Sequence, residues 1–489
     1  MHMTPLEQAE SPQEELPESL SSVIEGMQAR MGKSADIIYR FISLGPLSAV
    51  IIFIEGLSEP RELIQAIHED ANLFHEMDDF HPQTCLKLLQ ERTLTLGKVG
   101  EICNYTEAEN EILSGNTILF IEGSRVALSA GTEALKQRAV EDAVSQSVVR
   151  GPREGFTESL RENTALIRRR IHNPKLRIEE RRLGEQTQTN IAVMYIEDNA
   201  DPVVLQELRS RLDKARLDSV LESNYIEEVI QDKHYSPFPT VYNTERPDVT
   251  ASALLEGRIA ILTEGTPFVL VVPALLVQFF QSSEDYYQRS DFASLVRLLR
   301  YFCFAVALLT PSFYIAITTF HQEMIPTTLL ISLIGQREGI PFPAFLEAFI
   351  MEITFEVLRE AGIRLPKSIG QSVSIVGTLV IGQAAVDAGL VSAAMVIVVS
   401  ITAIANFALP AFNVGISVRM LRFVLMAIAA SFGLYGMIIA MIMLGLHLCS
   451  LDSVGVPYMT SLAPMRWQSQ KDTFIRVSRR GMKKYFGRN

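Results

Sequence analysis

The groups best placed to do chemistry in this chain are amides, hydroxyls and carboxylates set among apolar residues between Gln336 and Gly389. Between Lys367 and Asp387 the sequence has no Asp, Glu, Lys or Arg, a stretch close to the roughly 20 residues that cross a bilayer. Gln371, Ser374 and Thr378 fall at i, i+3 and i+7 there, on one face of a helix. Polar groups are costly in hydrocarbon, so such a stripe faces protein or water. Three readings are open. The stripe, with Gly370, Gly377 and Gly382, can be a helix-packing face. In a symmetric oligomer it can be repeated into a ring around a polar path. Or the opposite stripe of Ile369, Val373, Val376 and Val380 can face the axis, with Val373 closing a pore by excluding water.

The preceding segment, Phe345 to Glu360, reads as an interfacial amphipathic helix. Glu352, Glu356 and Arg359 share one face, and Leu346, Phe349, Ile350, Ile353 and Val357 cover much of the rest. Alone, such acids are a solvated helix face. In a ring, Glu352 and Glu356 form a negative collar that collects cations. Pro341, Pro343 and Pro366 bracket the helix, with Gly362 near its end.

The rest of the chain divides in two. Residues 1–300 carry 30 Lys plus Arg against 47 Asp plus Glu, whereas from Tyr301 onward there are 14 against 9. An acidic soluble region thus precedes an apolar one, and charge argues against nucleic-acid binding. Cys85, Cys103, Cys303 and Cys449 show no metal or disulfide spacing and are expected to be buried thiols, with no metal and no cofactor. There is no P-loop, no GxGxxG after a strand, no HExxH and no GxSxG, so no enzyme is expected.

The acidic region contains a duplication. SAVIIFIEGLSEP (Ser48 to Pro60) aligns with NIAVMYIEDNADP (Asn190 to Pro202), and LSGNTILFIEGSRVAL (Leu113 to Leu128) with LEGRIAILTEGTPFVL (Leu255 to Leu270), all at a constant offset of 142 residues. The matched pairs include Glu55 with Glu197 and Glu122 with Glu264. Each unit starts on a β-branched run, continues into a helix-like stretch and ends on a strand closed by Glu-Gly, an α/β pattern.

The expected fold is therefore an N-terminal cytoplasmic region of two duplicated α/β units followed by an α-helical polytopic membrane domain. Its boundaries are 1–35, a disordered acidic arm without a signal peptide; 36–147, the first α/β unit; 148–189, a basic linker; 190–275, the second unit; 276–464, the membrane domain; and 465–489, a basic cytoplasmic tail. Arg168, Arg169 and Arg170 are consecutive in the linker, which reads as a solvated helix, or as a segment docked on the acidic neighbouring unit or on anionic headgroups. Four spans are expected, over 301–322, 368–386, 388–418 and 423–451, with both termini cytoplasmic because the tail is strongly basic. That arrangement leaves Arg364, Lys367, Arg419 and Arg422 on the outer side, against the same rule.

Four strings carry a resemblance: VVRGPREGFTESLRENTALIRRRI (Val148 to Ile171), SPFPTVYNTERPD (Ser236 to Asp248), LLEGRIAILTEGTPFVLVVP (Leu254 to Pro273) and the long run from Gln336 to Ser392. They resemble the A subunits of GerA-type spore germinant receptors, and the likeness covers about residues 36 to 465. The resemblance implies a multi-pass protein of the spore inner membrane that acts with a transporter-like B subunit and a lipoprotein C subunit. It also implies a homo-oligomeric ring, a pentamer, forming a nutrient-gated ion conduit in contact with membrane lipid. On that reading Gln371, Ser374 and Thr378 line the pore, Val373 is the alternative gate, and Glu352 and Glu356 form the collar. The rivals are a non-conducting scaffold subunit, a transporter that binds nutrient itself, and a paralogue that amplifies germination without sensing nutrient.

Overall fold

The computed structural model describes residues 14–477 apart from 62, 66, 68–80, 93–98, 135–142, 144, 145, 147, 234, 366–380, 461 and 465–469. They form two compact units. The first comprises the described parts of Met1–Val148, Pro152–Ile230 and Val241–Pro273; the second those of Val149–Gly151, Gln231–Thr240 and Ala274–Asn489.

In the first unit the runs read as strands form a five-stranded sheet of β1 (Ile37–Leu44), β2 (Leu47–Ile54), β3 (Val99–Ile102), β4 (Thr117–Ile121) and β5 (Ala127–Ala130). Its order is β1-β2-β4-β5-β3, with every neighbouring pair antiparallel. The period of two sends Val50, Ile52, Ile54, Ile118 and Phe120 to one face, against α1 (Leu20–Met31) and α3 (Tyr105–Leu113). Ala49, Ile51, Leu119 and Ile121 go to the other, against α2 (Pro82–Arg92) and Leu63. A sheet covered on both faces explains why VIIFI is continuously apolar rather than alternating.

The duplication is structural. The second sheet, of β6 (Leu176–Leu183), β7 (Thr189–Ile196), β8 (Tyr242–Thr244), β9 (Ile259–Thr263) and β10 (Val269–Val272), has the order β6-β7-β9-β10-β8. Register repeats as well: Ala49 pairs with Ile121, and Ile191, 142 residues on, pairs with Thr263. Of the helices α4 (Leu160–Arg168), α5 (Pro202–Lys214), α6 (Asn224–Ile230) and α7 (Pro247–Leu255), α4 and α7 pack on this sheet through Leu160, Leu166, Ile167 and Leu254.

Two segments differ from the sequence-based expectation. Residues 20–31, assigned to the acidic arm, form α1, whose Leu20, Val23, Met27 and Met31 are buried in the first core. These four recur at helical spacing, but the Glu, Gln and Ser between them mask the stripe. Residues 148–189, read as a linker, supply α4 and the edge strand β6. Their charges are spent in contacts within the unit: Arg168 is buried against Asp36, and Arg161 pairs with Glu55.

The second unit is helical: α8 (Ser290–Phe320), α9 (Thr327–Arg337), α10 (Ala344–Arg364), α11 (Ala393–Phe407) and α12 (Phe412–Cys449). α8 and α12 are long and apolar enough to cross a membrane, with mean hydropathies of 1.8 and 2.2. α12 is nonetheless no single rod. Gly433 sits at φ 59° and ψ −149°, outside helical values. Ser417 Oγ donates to the Pro237 carbonyl while His447 Nε2 lies 3.0 Å from Ser236 Oγ. In a straight helix those two residues are about 45 Å apart at 1.5 Å per residue, so they cannot both reach adjacent residues of one loop. The arms 412–432 and 434–449 therefore run antiparallel about Gly433, and the turn rests on the end of α8, where a Cβ on Gly433 would meet His321 Cε1 at 2.9 Å and Phe320 Cβ at 3.1 Å.

The apolar runs 388–418 and 423–451 are thus each broken, the first between Phe407 and Phe412 around Pro410 and the second at Gly433. Among the cysteines Cys85 is buried, but Cys103 and Cys449 are exposed, contrary to expectation, because each lies at the end of an element rather than within it.

Candidate functional site

α10 begins after Pro343, which sets an extended entry, and three of its four carboxylates, Glu347, Glu352 and Glu356, turn to neighbouring elements. Glu347 meets α9 and α11, and Glu352 and Glu356 both meet α12. Glu347, fully buried, accepts from Arg337 Nε of α9 at 3.2 Å and from the Ser392 amide at the start of α11 at 2.9 Å. Glu352 Oε2 accepts from Arg422 Nη1 at 2.6 Å, both side chains being 2% exposed. Arg422 Nε donates in turn to the Ala307 carbonyl of α8 at 2.8 Å. Glu356 accepts from Arg419 at 2.5 Å and from Arg359 at 3.3 Å, and the Arg359 guanidinium stands 5.2 Å from the Phe407 ring.

Glu352 and Glu356, expected to form a collar, are thus both held by arginines in this state, with Arg359, Arg419 and Arg422 around two carboxylates. The sequence shows the shared face of Glu352 and Glu356 but not what faces it. Arg419 and Arg422 stood out only as charges on the wrong side of a topology. Their spacing of i, i+3 against Glu352 and Glu356 at i, i+4 was the available signal for two facing helices. Gln371, Ser374, Thr378 and Val373 lie outside the described residues, in the segment that follows α10 directly.

In the α/β unit the repeated glutamates do structural work. Glu122 Oε2 accepts from the Leu20 amide at 2.9 Å and Glu264 Oε2 from the Leu160 amide at 3.1 Å, so each Glu-Gly turn caps the helix that covers its own sheet. A cavity of about 170 Å³ is lined by Asp36, Glu55, Arg161, Thr164, Glu180 and Glu264 among others, and of these acids Asp36, Glu55 and Glu264 are engaged by Arg168, Arg161 and the Leu160 amide. Among the described residues no group of three or more His, Cys, Asp or Glu is placed to hold a metal ion.

Residues 25–485 match the family model of the Bacillus/Clostridium GerA spore germination protein. The chain belongs to the GerA family. It is 48% identical over 462 residues to spore germination protein KA of Bacillus subtilis (strain 168), covering 94% of this chain and 84% of that one. Over 471 residues it is 38% identical to spore germination protein GerLA of Bacillus cereus, covering 96% and 95%. An uncharacterized membrane protein of Bacillus subtilis (strain 168), YfkQ, is 46% identical over 446 residues, covering 91% and 86%. Among solved structures, the N-terminal domain of the A subunit of the Bacillus megaterium spore germinant receptor GerK3 is 35% identical. It covers 55% of this chain and 100% of its own, with a TM-score of 0.44. The GerA match spans both units, so the charged face of α10 and the segment after it are parts of the family's common chain.

Proposed function

We propose that this chain is the A subunit of a nutrient-responsive germinant receptor, a ring of identical subunits in the spore inner membrane that conducts monovalent cations when nutrient binds. The observation that carries the reading is the buried Glu352–Arg422 pair between two largely apolar helices. Buried charge at membrane depth is costly and marks helices that face protein or a water path rather than lipid. The conduit is lined by Gln371, Ser374 and Thr378, with Val373 as the alternative gate. Glu352 and Glu356 draw cations toward it only when their arginines are displaced, since the described cluster holds more guanidinium than carboxylate.

A transporter-like B subunit supplies the nutrient site and a lipoprotein C subunit completes the receptor; ligand in B shifts the closed-to-open equilibrium of the A ring. Both termini lie on the cytoplasmic side. The pairing of Arg297, near the start of α8, with Asp472 of the tail supports that assignment, because it holds the tail at the end of α8 opposite the Gly433 turn.

The test is nutrient-triggered cation release from spores carrying Ser374→Phe. A block with the complex present at normal level supports the conduit; normal release with the complex intact favours a scaffold instead.

A further inference from the structure

α10 is inside out for a helix that faces water. Ile350, Ile353 and Val357, at i, i+3 and i+7, are 39%, 42% and 63% exposed, whereas Glu347 and Glu352 are at most 2% exposed. Glu356 and Arg359 are spent on each other and on Arg419. Thr354 donates its hydroxyl to the Ile350 carbonyl at 2.8 Å and so asks nothing of solvent. The exposed charges of the helix, Glu360 and Arg364, come only in its last turns, where they pair with each other. A surface helix turns its charges outward and its apolar stripe to the core. The reverse arrangement suits hydrocarbon.

The neighbours of α10 fix its direction. Along the first arm of α12, Arg422 reaches Ala307 and Gly433 rests on Phe320, so that arm runs parallel to α8. Glu352 pairs with Arg422 and Glu356 with Arg419, so α10 runs the opposite way. α11 starts at Glu347, through the Ser392 amide, and ends with Phe407 under Arg359, so it runs with α10. The 21 residues of α10 cover about 31 Å, the thickness of a hydrocarbon core. Its six charges hide from hydropathy a helix aligned with two that are apolar enough to cross.

We propose that α10 is a membrane-spanning helix, running from the outer face at Ala344 to the cytoplasmic face at Arg364, with lipid acyl chains covering the stripe of Ile350, Ile353 and Val357. The Arg364 end of α10 and the Phe412 end of α12, which carries Arg419, then lie on the cytoplasmic side rather than the outer one, as the positive-inside rule requires. Arg422 lies deeper, neutralised by Glu352. The direction rests on the cytoplasmic tail held at the start of α8, and neither it nor the span depends on whether the ring conducts.

The test labels single cysteines with a membrane-impermeant maleimide in protoplasts expressing the full chain with the proposed B and C subunits, Cys85, Cys103, Cys303 and Cys449 being replaced by Ser. The sites are Gly339→Cys, where a Cβ meets open space, Val357→Cys and Arg364→Cys. The span predicts labelling of Gly339→Cys in intact protoplasts, of Arg364→Cys only after permeabilisation, and of Val357→Cys in neither. Labelling of both ends from one side, or of Val357→Cys as readily as Arg364→Cys, means that α10 does not cross and overturns the proposal. Arg364→Cys labelled from outside, with Gly339→Cys reached only after permeabilisation, overturns the orientation; Asn489→Cys then shows whether the tail assignment failed with it. A spin label on Val357→Cys in reconstituted protein tests the occupant. Collisions with oxygen well above those with a water-soluble nickel chelate support acyl chains. Low accessibility to both means that a protein surface, such as a second copy, covers the stripe and overturns the lipid contact. If Val357→Cys does not accumulate, Ile353→Cys on the same stripe takes its place.

Discussion

Arg168 Nε lies 2.7 Å from Asp36 Oδ2 and its Nη2 3.1 Å from Asp36 Oδ1, a forked ion pair between residues 132 positions apart. Ser34 Oγ joins it, donating to Asp36 at 2.5 Å while it accepts from Arg168 at 3.2 Å. The pair joins the start of the first repeat to α4 of the second, with side chains 1% and 6% exposed. Removing one partner strands the other charge in the interior. Arg168→Ala is therefore expected to destabilise the N-terminal region by about 3–5 kcal/mol. Denaturant unfolding of the fragment 14–273 measures this; a loss below about 1 kcal/mol, the range of exposed pairs, would show that the contact opens to solvent.

The caps formed by Glu122 and Glu264 give a paired prediction. Glu122→Ala and Glu264→Ala are each expected to cost about 1 kcal/mol, the usual worth of an N-terminal helix cap. The capped helices belong to separate repeats, so the double variant should be additive within about 0.5 kcal/mol. Strong coupling in a double-mutant cycle would mean that the repeats do not bear these caps independently.

Glu179 links stability to pH. Burial pushes its carboxyl up, but hydrogen bonds from Arg209 and Tyr195, at 3.1 and 2.7 Å, together with the charges of Arg209 and Arg181, leave it below its ordinary value of 4.5. A carboxyl with a depressed folded pKa contributes stability that is complete above its unfolded value and lost as pH falls through the folded one. Unfolding midpoints taken downward from pH 6 should thus decline less steeply below about pH 4.5 in Glu179→Gln than in wild type. Parallel profiles would remove Glu179 from the account.

Gly433 must adopt a positive φ, and a side chain there would strike His321 and Phe320. Gly433→Ala should lower the amount of folded protein in the membrane, at a cost of roughly 1–3 kcal/mol for the backbone alone. Wild-type levels and thermal stability in detergent would argue for a continuous α12.

These contacts also show what sequence discloses. The two sheets were legible because a strand covered on both faces writes itself as a continuous apolar run, and the offset of 142 residues preserved even the pairing of Ala49 with Ile121 as Ile191 with Thr263. α1 and α4 were not, since their apolar stripes are diluted by Glu, Ser and Arg whose contacts arise only on folding, as Arg168 with Asp36 does. The hairpin turns on one residue: composition from Phe423 to Leu451 is free of Asp, Glu, Lys and Arg and mostly apolar, and nothing in it marks Gly433 off from Gly436 or Gly445. At the candidate site, periodicity gave the face shared by Glu352 and Glu356 but not Arg422, because a helix's phase does not name its neighbour.

The central claim is that the A ring itself conducts. Its most direct test is the current through purified A-subunit oligomer in a planar bilayer, comparing wild type, Val373→Ala and Ser374→Phe. The account predicts little current from the wild-type ring in the absence of nutrient-bound B subunit, a cation-selective conductance in Val373→Ala, whose gate is loosened, and none in Ser374→Phe. Bilayers that stay silent with both wild type and Val373→Ala, while the oligomer is intact, would contradict it.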